Sequence, residues 1–267
     1  MIPRFELSCQ FTTGAAGISY LIQDNMAAFT DVTAAHEQDG NKEGSCYRVN
    51  VLGTKNIVRA CQELDKHLIH ISTDFVFDGK NPPAGGYTEK DRPNPIEWYG
   101  KTKLLAEEAV QENLENWTIL RLAFPYKAKR SRPELEPKVK PDLVRKIKGR
   151  LEEREELRMF SDQVITPTFI DDVAVVMDYV FCNRPRGIYH MVGSTPISPF
   201  DLARKVAETF DLDKGLVKQT SLVEFMKTNS RPRQQKMALS NRKLSQEFGI
   251  KMKTVDEGLS EIKKQLT

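Results

Sequence analysis

The stretch LIHISTDFVFDG, residues 68–79, decides the fold, because a short β-rich run ends there in polar residues and an Asp-Gly turn. Before it, residues 42–65 carry apolar side chains at close to helical spacing. After it, a helical segment at 98–112 leads to WTILRL, residues 117–122, a second β-rich run. Strands that alternate with helices of this length pair in parallel through right-handed crossovers. The pattern predicts an α/β fold with a doubly wound parallel sheet.

Further predicted elements continue this alternation toward the end of the chain. Residues 141–156 are predicted to form a basic helix that begins with a proline. Residues 168–181 are predicted to form a helix capped by Asp171 or Thr168. The remaining predicted elements are a strand at 187–192 and helices at 198–210, with Ser198 as N-cap, 240–248 and 255–266.

The composition is typical of a globular protein. Hydrophobic residues make up 39% and charged residues 29% of the 267 residues, enough for one sizeable domain with a smaller lobe. The net charge is only +3, from 40 Lys and Arg against 37 Asp and Glu, which argues against a nucleic-acid partner. The basic stretch 127–150 is the one feature that favours such a partner, and a solvated surface explains its charge more simply.

Metal, disulfide and membrane features are not indicated by the sequence. None of the 4 cysteines belongs to a C-x-x-C pair, so neither a zinc site nor a disulfide framework is predicted. No apolar run reaches the ~20 residues of a membrane span. The N-terminus has no basic-then-apolar signal pattern. We therefore expect a cytoplasmic protein without a membrane partner.

Tyr99 and Lys103 form the candidate catalytic pair. They lie four positions apart at the start of the predicted helix, so their side chains share one face. A phenol ionises near pH ~10, and a neighbouring ammonium group lowers that pKa. Such a pair can act as a general acid–base group in carbonyl–alcohol interconversion. The spacing also occurs by chance, so its context matters.

The context is a pair of hydroxyl residues and a long loop. Ser72 and Thr73 stand at the predicted end of a strand, where α/β sheets place their ligand sites. A Pro- and Gly-rich loop, residues 81–95, separates them from Tyr99. A strand-end hydroxyl can donate to the same carbonyl oxygen as the phenol. A strand-end hydroxyl, a long loop and a Tyr-x-x-x-Lys helix start in this order indicate a carbonyl-reducing site far more specifically than any one of these features alone.

Seven stretches in a fixed order resemble the extended short-chain dehydrogenase/reductases, and within them the dTDP-4-dehydrorhamnose reductase family. The resemblance covers about residues 27–267. The stretches are AAFTDV (27–32), YRVNVLGTKNI (47–57), ISTDFVFDG (71–79), YTEKDRPNPIEWYGKTKLLAE (87–107), ITPTFIDDVA (165–174), GIYHMVGSTPIS (187–198) and RPRQQKMALSNRKL (231–244).

The resemblance implies a role for each candidate residue. Tyr99 would protonate the C4 oxygen of a keto-sugar as hydride arrives from NADP(H) or NAD(H). Lys103 would lower the Tyr99 pKa and hold the nicotinamide ribose, and Thr73 would hydrogen-bond the reacting oxygen, with Ser72 as the alternative. The other implied cofactor-binding residues are Gly14, Gly17, Ala27, Ala28, Asn50, Ser72 and Ala123, and the implied substrate-binding residues are Asp74, Val76 and Arg231. A Mg²⁺ requirement stays open, since no residue pattern indicates one.

The N-terminus departs from the pattern of a Rossmann-like dinucleotide fold. Such a fold begins with a strand and a G-x-x-G-x-x-G loop whose backbone amides hold the pyrophosphate. Here Gly14 and Gly17 are followed by Tyr20 at the third glycine position, and only about ten residues separate this candidate loop from AAFTDV. We expect a sheet shortened at its start. Three explanations stay open: a fragment, a shortened protein that binds cofactor poorly, or a rebuilt strand and loop at 5–25.

The predicted domain division places a dinucleotide-binding domain at 1–122, to which 163–193 returns, and a small substrate-binding lobe at 123–162 and 194–267. The first functional hypothesis is NAD(P)H-dependent reduction of a nucleotide-linked 4-keto-6-deoxysugar. The alternatives are a non-catalytic NAD(P)-binding regulatory protein, like the methionine adenosyltransferase regulatory β subunit, and an inactive truncated reductase. A nucleotide-sugar is the expected partner, and a homodimer stays open.

Overall fold

The computed structural model describes residues 28–127 and 141–266. The helices are α1 (Val32–His36), α2 (Ser45–Tyr47), α3 (Thr54–Glu63), α4 (Trp98–Asn113), α5 (Leu143–Glu152), α6 (Ile170–Asn183), α7 (Pro199–Thr209), α8 (Leu222–Lys227), α9 (Arg242–Phe248) and α10 (Val255–Leu266). The strands are β1 (Leu68–Thr73), β2 (Trp117–Leu122), β3 (Pro125–Tyr126), β4 (Leu157–Phe160), β5 (Thr168–Phe169), β6 (Gly187–Met191) and β7 (Val217–Thr220). A π-helical turn, Arg48–Gly53, joins α2 to α3, and a 3₁₀ turn, Asp74–Val76, follows β1.

The central sheet consists of three parallel strands in the order β1-β2-β6. Thr73 lies opposite Leu122, so β1 and β2 end at the same edge of the sheet. One face packs on α3 and α4 through a buried apolar cluster that includes Val58 and Val110. The other face packs on α6 and α9 through a cluster that includes Val176. Both faces of the sheet are covered, so most side chains of these strands are buried and apolar, with His70, Ser72 and Arg121 among the buried polar exceptions. The predicted α/β class with a parallel sheet is confirmed.

A second apolar core lies around the parallel pair of β4 and β7. It includes Ile147 of α5, Val206 of α7 and Leu259 of α10, all fully or almost fully buried. Phe169, from β5, also belongs to this core. The core therefore joins segments that the domain prediction assigns to both units, and the division itself stays a prediction.

The predicted helix start at residue 168 is wrong. Thr168 and Phe169 form β5, which pairs in parallel with β3, and α6 begins only at Ile170, without a side-chain cap. The Thr168 amide donates to the Phe124 carbonyl, and its hydroxyl donates to the Ala123 carbonyl at 2.6 Å. These long-range bonds hold the residue extended and outweigh its local capping tendency. Ser198, in contrast, caps α7 as predicted, with its hydroxyl accepting from the Asp201 amide.

Several short elements are not apparent from the sequence. The strands β3, β4, β5 and β7 have two to four residues each, too few for a clear alternation of apolar and polar side chains. The predicted helix at 42–65 is interrupted by the π-helical turn, a feature that often marks functional sites. Within the part of the chain that the structure describes, no helix has the length and apolar character to cross a membrane.

Candidate active site

A cleft of about 420 Å³ opens at the carboxyl ends of β1 and β2. It is lined by Ala28, Thr30, Val32, Ile71, Ser72, Thr73, Asp74, Phe75, Tyr99, Lys103, Leu122, Phe124 and Pro125. The structure thus brings together residues that lie far apart in the sequence, including the predicted catalytic set. Its place at the strand ends follows the general rule for parallel α/β sheets.

Tyr99 is held against the turn that follows β1. The Thr73 hydroxyl caps this 3₁₀ turn by accepting from the Phe75 amide, and the Phe75 ring meets the Tyr99 ring edge-on at 5.7 Å. Gly100 makes this approach of α4 feasible. A Cβ atom at position 100 would lie 2.2 Å from the Phe75 carbonyl oxygen, which is shorter than any real contact. The glycine therefore allows the start of α4 to lie directly against the Asp74–Val76 turn.

We expect the Gly100→Ala variant to be destabilised by about 1–3 kcal/mol, as is typical of overpacking. The added methyl group meets backbone that cannot turn away, so α4 must move from the Asp74–Val76 turn. Denaturant unfolding measures the loss. Gly149→Ala is the matched control, because a Cβ at that helical position meets nothing within 4 Å. Equal stability of the two variants would show that the close approach has no energetic importance.

The Tyr99 phenol is protonated at neutral pH. Burial raises its pKa above the ordinary value, the nearby Thr73 hydroxyl lowers it in part, and the nearby acidic groups Asp74, Cys46 and Glu97 raise it further. The sequence predicts a lowered pKa, and the structure has it raised because desolvation outweighs the opposing effect of the Thr73 hydroxyl. A protonated phenol in a cleft is a proton donor.

Lys103 lies one turn after Tyr99 and is buried to 3% exposure. Its Nζ donates to the Ile71 carbonyl at 2.6 Å. Burial lowers the pKa of Lys103 to about 8, although the carboxylate of Glu107 acts to raise it. The ammonium group is therefore fixed at the floor of the cleft, where it can still donate to a ligand.

A buried ion pair supports the floor of the cleft from below. Arg121 donates to Glu107 through Nε at 3.0 Å and Nη2 at 2.7 Å, with both side chains at 1% exposure or less. The Ser72 hydroxyl also donates to Glu107. The Ser72 hydroxyl is engaged by the buried Glu107 below the cleft, whereas among the described residues the Thr73 hydroxyl bonds only to its neighbours Asp74 and Phe75 and lines the cleft with Tyr99. The geometry therefore favours Thr73 as the hydroxyl for a reacting oxygen. An Arg inside the apolar run WTILRL is the sequence signal of this pair.

Asn50 joins three segments near the cleft. Its side-chain oxygen accepts from the Phe29 amide at 2.8 Å, and its Nδ2 donates to the Thr102 hydroxyl at 3.0 Å. Thr102 in turn donates to the Tyr99 carbonyl at 2.9 Å. Asn50 thus connects the segment beside Ala28 to the start of α4 and does not line the cleft itself. The sequence indicates an ordering role for Asn50 but gives no sign of Thr102.

Two predicted site residues are buried beside the cleft and not in it. Val76 and Ala123 belong to one apolar cluster, at 0% and 1% exposure. Leu122, Phe124 and Pro125 form the edge after β2 instead. The reason is the alternation of side chains along an extended chain, which turns Ala123 away from the cleft. Ala28 lines the cleft as expected, whereas Gly14, Gly17 and Ala27 lie outside the described residues.

A pair of buried carboxyl groups lies next to Tyr99. Asp74 and Glu97 have 1% and 2% exposure. Burial raises the pKa of each to about 7, and Asp74 contributes to the shift of Glu97 through charge repulsion. Arg231 Nη1 lies 3.4 Å from Glu97 Oε2 and partly offsets the shift. Sequence reasoning finds Asp74 and Arg231 but not Glu97, because nothing in the sequence shows that this glutamate is buried.

We expect the Glu97→Gln variant to gain stability relative to the wild type as pH rises from about 4.5 to 7. Below about pH 4.5 the carboxyl is protonated in both the folded and the unfolded chain. Between about pH 4.5 and 7 the unfolded chain loses this proton while the folded chain keeps it, so the wild type loses stability that the uncharged Gln side chain does not. The relative gain is on the order of 3 kcal/mol. Unfolding measured across this range checks it. The attraction to Arg231, which acts on the ionised carboxylate, is already part of this shifted pKa. A pH-independent difference would contradict the raised pKa.

The cleft fits the nicotinamide end of a dinucleotide. Its volume of about 420 Å³ lies in the usual range for small-ligand sites. Lys103 supplies a buried donor on one side, and Leu122, Phe124 and Pro125 supply an apolar wall on the other. Within residues 28–127 and 141–266, no cluster of three or more His, Cys, Asp or Glu side chains can hold a metal ion.

Comparison with known proteins gives a consistent match over the described fold. The family model for the RmlD substrate binding domain matches residues 19–267. A dTDP-4-dehydrorhamnose reductase from Sinorhizobium fredii is 30% identical over 96% of this chain and 84% of its own length. The crystal structure of dTDP-4-dehydrorhamnose reductase from Bacillus anthracis in complex with NADP superposes with a TM-score of 0.75, at 27% identity, over 91% of this chain and 79% of that one.

A protein of another kind also matches. The methionine adenosyltransferase 2 subunit beta of Bos taurus is 31% identical over 64% of this chain, which corresponds to 50% of its own length. This match is shorter than that to the reductases. The Rossmann-like fold and the resemblance to the dTDP-4-dehydrorhamnose reductases that the sequence motifs indicate are thereby confirmed.

Proposed function

This chain belongs to the RmlD substrate-binding domain family, and from that premise we propose that it is an NAD(P)H-dependent reductase of a nucleotide-linked 4-keto-6-deoxysugar. The substrate that its relatives' names indicate is dTDP-4-dehydrorhamnose, reduced to dTDP-rhamnose. The observation that carries the proposal is the buried, protonated Tyr99 phenol, which lines a cleft of small-ligand size together with Thr73. A carbonyl reduction needs such a proton donor.

The residues of the cleft divide the chemistry between them. When bound in the cleft, NAD(P)H would supply the hydride. The Thr73 hydroxyl orients the C4 carbonyl by donating to its oxygen, and Tyr99 transfers its proton to the same oxygen as negative charge develops there. The Lys103 ammonium group is held by the Ile71 carbonyl and places a positive charge beneath the site. This charge stabilises the phenolate that remains after Tyr99 has transferred its proton.

The substrate side of the proposal involves residues after β1 and near the chain's end. Asp74 lines the cleft next to Thr73, where its carboxyl can meet a sugar hydroxyl. Arg231 is half-buried beside Glu97, and its forked donors suit a diphosphate. Val76 supports the turn from within the core. A nucleotide-sugar as partner, a homodimer and a cytoplasmic location remain part of this proposal.

The direct test is to add dTDP-4-dehydrorhamnose to the protein with NADPH or NADH and follow cofactor oxidation together with the sugar product. We expect one dTDP-rhamnose for each cofactor oxidised. The matched control is dTDP-glucose, which has no keto group to reduce. Failure to oxidise either cofactor with the keto-sugar would refute the reductase assignment.

The second candidate is a regulatory protein that binds NAD(P) without turnover. The match to the methionine adenosyltransferase 2 subunit beta favours it. The assembled set of Tyr99, Lys103 and Thr73 favours the reductase, since a purely binding cleft needs no proton donor. Calorimetric titration with NADPH separates them, because tight binding without turnover on a keto-sugar is the result that the regulatory candidate predicts.

A further inference from the structure

Phe124 has a backbone conformation that its sequence context does not favour. It lies between β2 and β3 and immediately precedes Pro125, and a residue before proline normally adopts an extended conformation. Instead, its φ of 41° lies in the left-handed region, which is sterically unfavourable for a bulky side chain. Such a conformation costs free energy and persists only where the surrounding structure holds it. Because Phe124 lines the cleft, this strain lies at the candidate active site.

Helix ends explain the same conformation elsewhere in residues 28–127 and 141–266. Apart from Phe124, the non-glycine residues with positive φ there are Asp65, Arg154, Arg184 and Asp211. They stand at the C-terminal ends of α3, α5, α6 and α7 respectively. Helices commonly end with a residue in the left-handed conformation. Phe124 follows a strand, so helix capping does not account for its conformation.

Thr168 binds the strained segment at two points. Its hydroxyl donates to the Ala123 carbonyl at 2.6 Å, and its amide donates to the Phe124 carbonyl at 3.2 Å. These carbonyls belong to the two planar peptide groups that flank the Phe124 Cα atom, and the orientations of these groups define its φ and ψ angles. Thr168 is fully buried and is not among the cleft-lining residues. It therefore holds the conformation of Phe124 from behind the cleft.

The Phe124 ring connects this clamp to the proton donor. It lies 6.5 Å from the Phe75 ring at an angle of 35°, and the Phe75 ring meets the Tyr99 ring edge-on at 5.7 Å. Aromatic rings at these separations attract one another in preferred orientations. Phe124 also packs against two apolar clusters, the second core and the cluster that contains Val76 and Ala123. A change in its backbone therefore displaces a ring that supports Tyr99 through Phe75.

We propose that Thr168 is a positioning residue, whose two hydrogen bonds hold Phe124 in its left-handed conformation and thereby fix the aromatic row of Phe124, Phe75 and Tyr99. This inference rests on the proposed reductase function. Without the hydroxyl bond the Ala123 carbonyl can rotate, and Phe124 relaxes toward the extended conformation that is usual before proline. Its ring then moves from Phe75, and the Tyr99 hydroxyl is no longer held where the sugar oxygen is protonated.

The Thr168→Val variant tests the clamp, because valine keeps the shape of the side chain and the amide bond but lacks the hydroxyl. We expect kcat with NADPH and dTDP-4-dehydrorhamnose to fall by about 10-fold, with a smaller change in KM, since a misplaced proton donor affects the chemical step more than binding. Thr168→Ser keeps a hydroxyl at this position and should recover most of the wild-type kcat. A serine variant as slow as the valine variant would refute the positioning role.

Thr166→Val is the matched control. Thr166 is also fully buried, and its hydroxyl donates to the Met237 carbonyl at 2.8 Å and accepts from the Leu239 amide at 3.1 Å, away from the cleft. Its loss should lower the midpoint of denaturant unfolding at least as much as Thr168→Val and leave kcat close to the wild-type value. A merely structural Thr168 would behave in the same way, so equal kcat in the two valine variants would refute the proposal.

A stability comparison at position 124 tests the strain without any turnover. Glycine adopts positive φ freely and alanine does not, so Phe124→Gly should unfold at a higher denaturant concentration than Phe124→Ala. Phe225, within α8, is the control position, where alanine should be the more stable replacement, as in helices generally. If alanine is the more stable replacement at both positions, Phe124 is not strained and the proposal is overturned.

The double variant Phe124→Gly with Thr168→Val tests whether Thr168 acts through the Phe124 ring. In the glycine background the ring is absent, so loss of the Thr168 hydroxyl should have little further effect on kcat. An equal loss of kcat in both backgrounds would contradict this route. If the wild type oxidises no NADPH with the keto-sugar, the reductase assignment fails and the positioning role falls with it. If the wild type and Thr168→Val turn over equally, only the positioning role is refuted.

Discussion

Replacing Tyr99 with Phe is expected to lower kcat by about 10²–10⁴-fold, which is the usual contribution of a positioned general acid. The substitution removes the hydroxyl that gives its proton to the sugar oxygen and leaves the ring in edge-on contact with Phe75. The fold should be unaffected, because the substitution removes only the hydroxyl and the ring keeps its packing against Phe75. Steady-state kinetics with NADPH and dTDP-4-dehydrorhamnose measure the change.

The matched control for this substitution is Tyr87→Phe. Tyr87 is a second buried tyrosine, stacked on Phe77 at 4.4 Å, and its hydroxyl donates to Asp78 outside the cleft. Its loss should reduce stability by about 1 kcal/mol and leave kcat close to the wild-type value. Unchanged turnover in Tyr99→Phe would show that another group protonates the sugar oxygen.

The Glu107→Gln variant is expected to lose about 3–5 kcal/mol of stability, the range for a buried ion pair that loses one partner. Arg121 would then keep a full positive charge at 1% exposure or less with no carboxylate to balance it. The Ser72 hydroxyl would also lose its charged acceptor, and Lys103 the carboxylate that raises its pKa. Reversible denaturant unfolding, followed by far-UV circular dichroism, measures the loss.

Two controls identify the cause of that loss. The double substitution of Glu107→Leu with Arg121→Met removes both charges and should recover much of the stability, because neither charge is then left buried alone. Glu152→Gln breaks an exposed pair with Lys148 and should change stability by less than about 1 kcal/mol. If Glu107→Gln is as stable as Glu152→Gln, the buried pair does not support the floor of the cleft.

The sequence predicts the parts of the site that depend on local patterns. The strands at 68–73 and 117–122 have the bounds that their β-rich runs indicate, and α4 begins at Trp98, as its apolar spacing suggests. Since both strands run in parallel, their polar ends had to meet at one edge, which places Thr73 near Tyr99.

Long-range contacts explain what the sequence does not predict. Asp74 and Glu97 lie near each other only because the loop between them folds back onto the turn after β1, where the Asn94 amide donates to the Val76 carbonyl, and Glu97 also faces residues 231–234. The raised pKa of Tyr99 has the same origin, since burial is a property of the packed molecule. At Thr168 a local pattern gives the wrong prediction, because a residue typical of a helix cap instead belongs to a strand that pairs with β3.

The most direct test of the reductase assignment uses NADPH that carries deuterium in the transferable position, incubated with the wild-type protein and dTDP-4-dehydrorhamnose. We expect one deuterium at C4 of the sugar for each NADPH oxidised, and the same label at a greatly reduced rate in Tyr99→Phe. Oxidation of NADPH without deuterium at C4, or binding of NADPH and sugar without any transfer, would contradict the account of this cleft as a carbonyl-reducing centre.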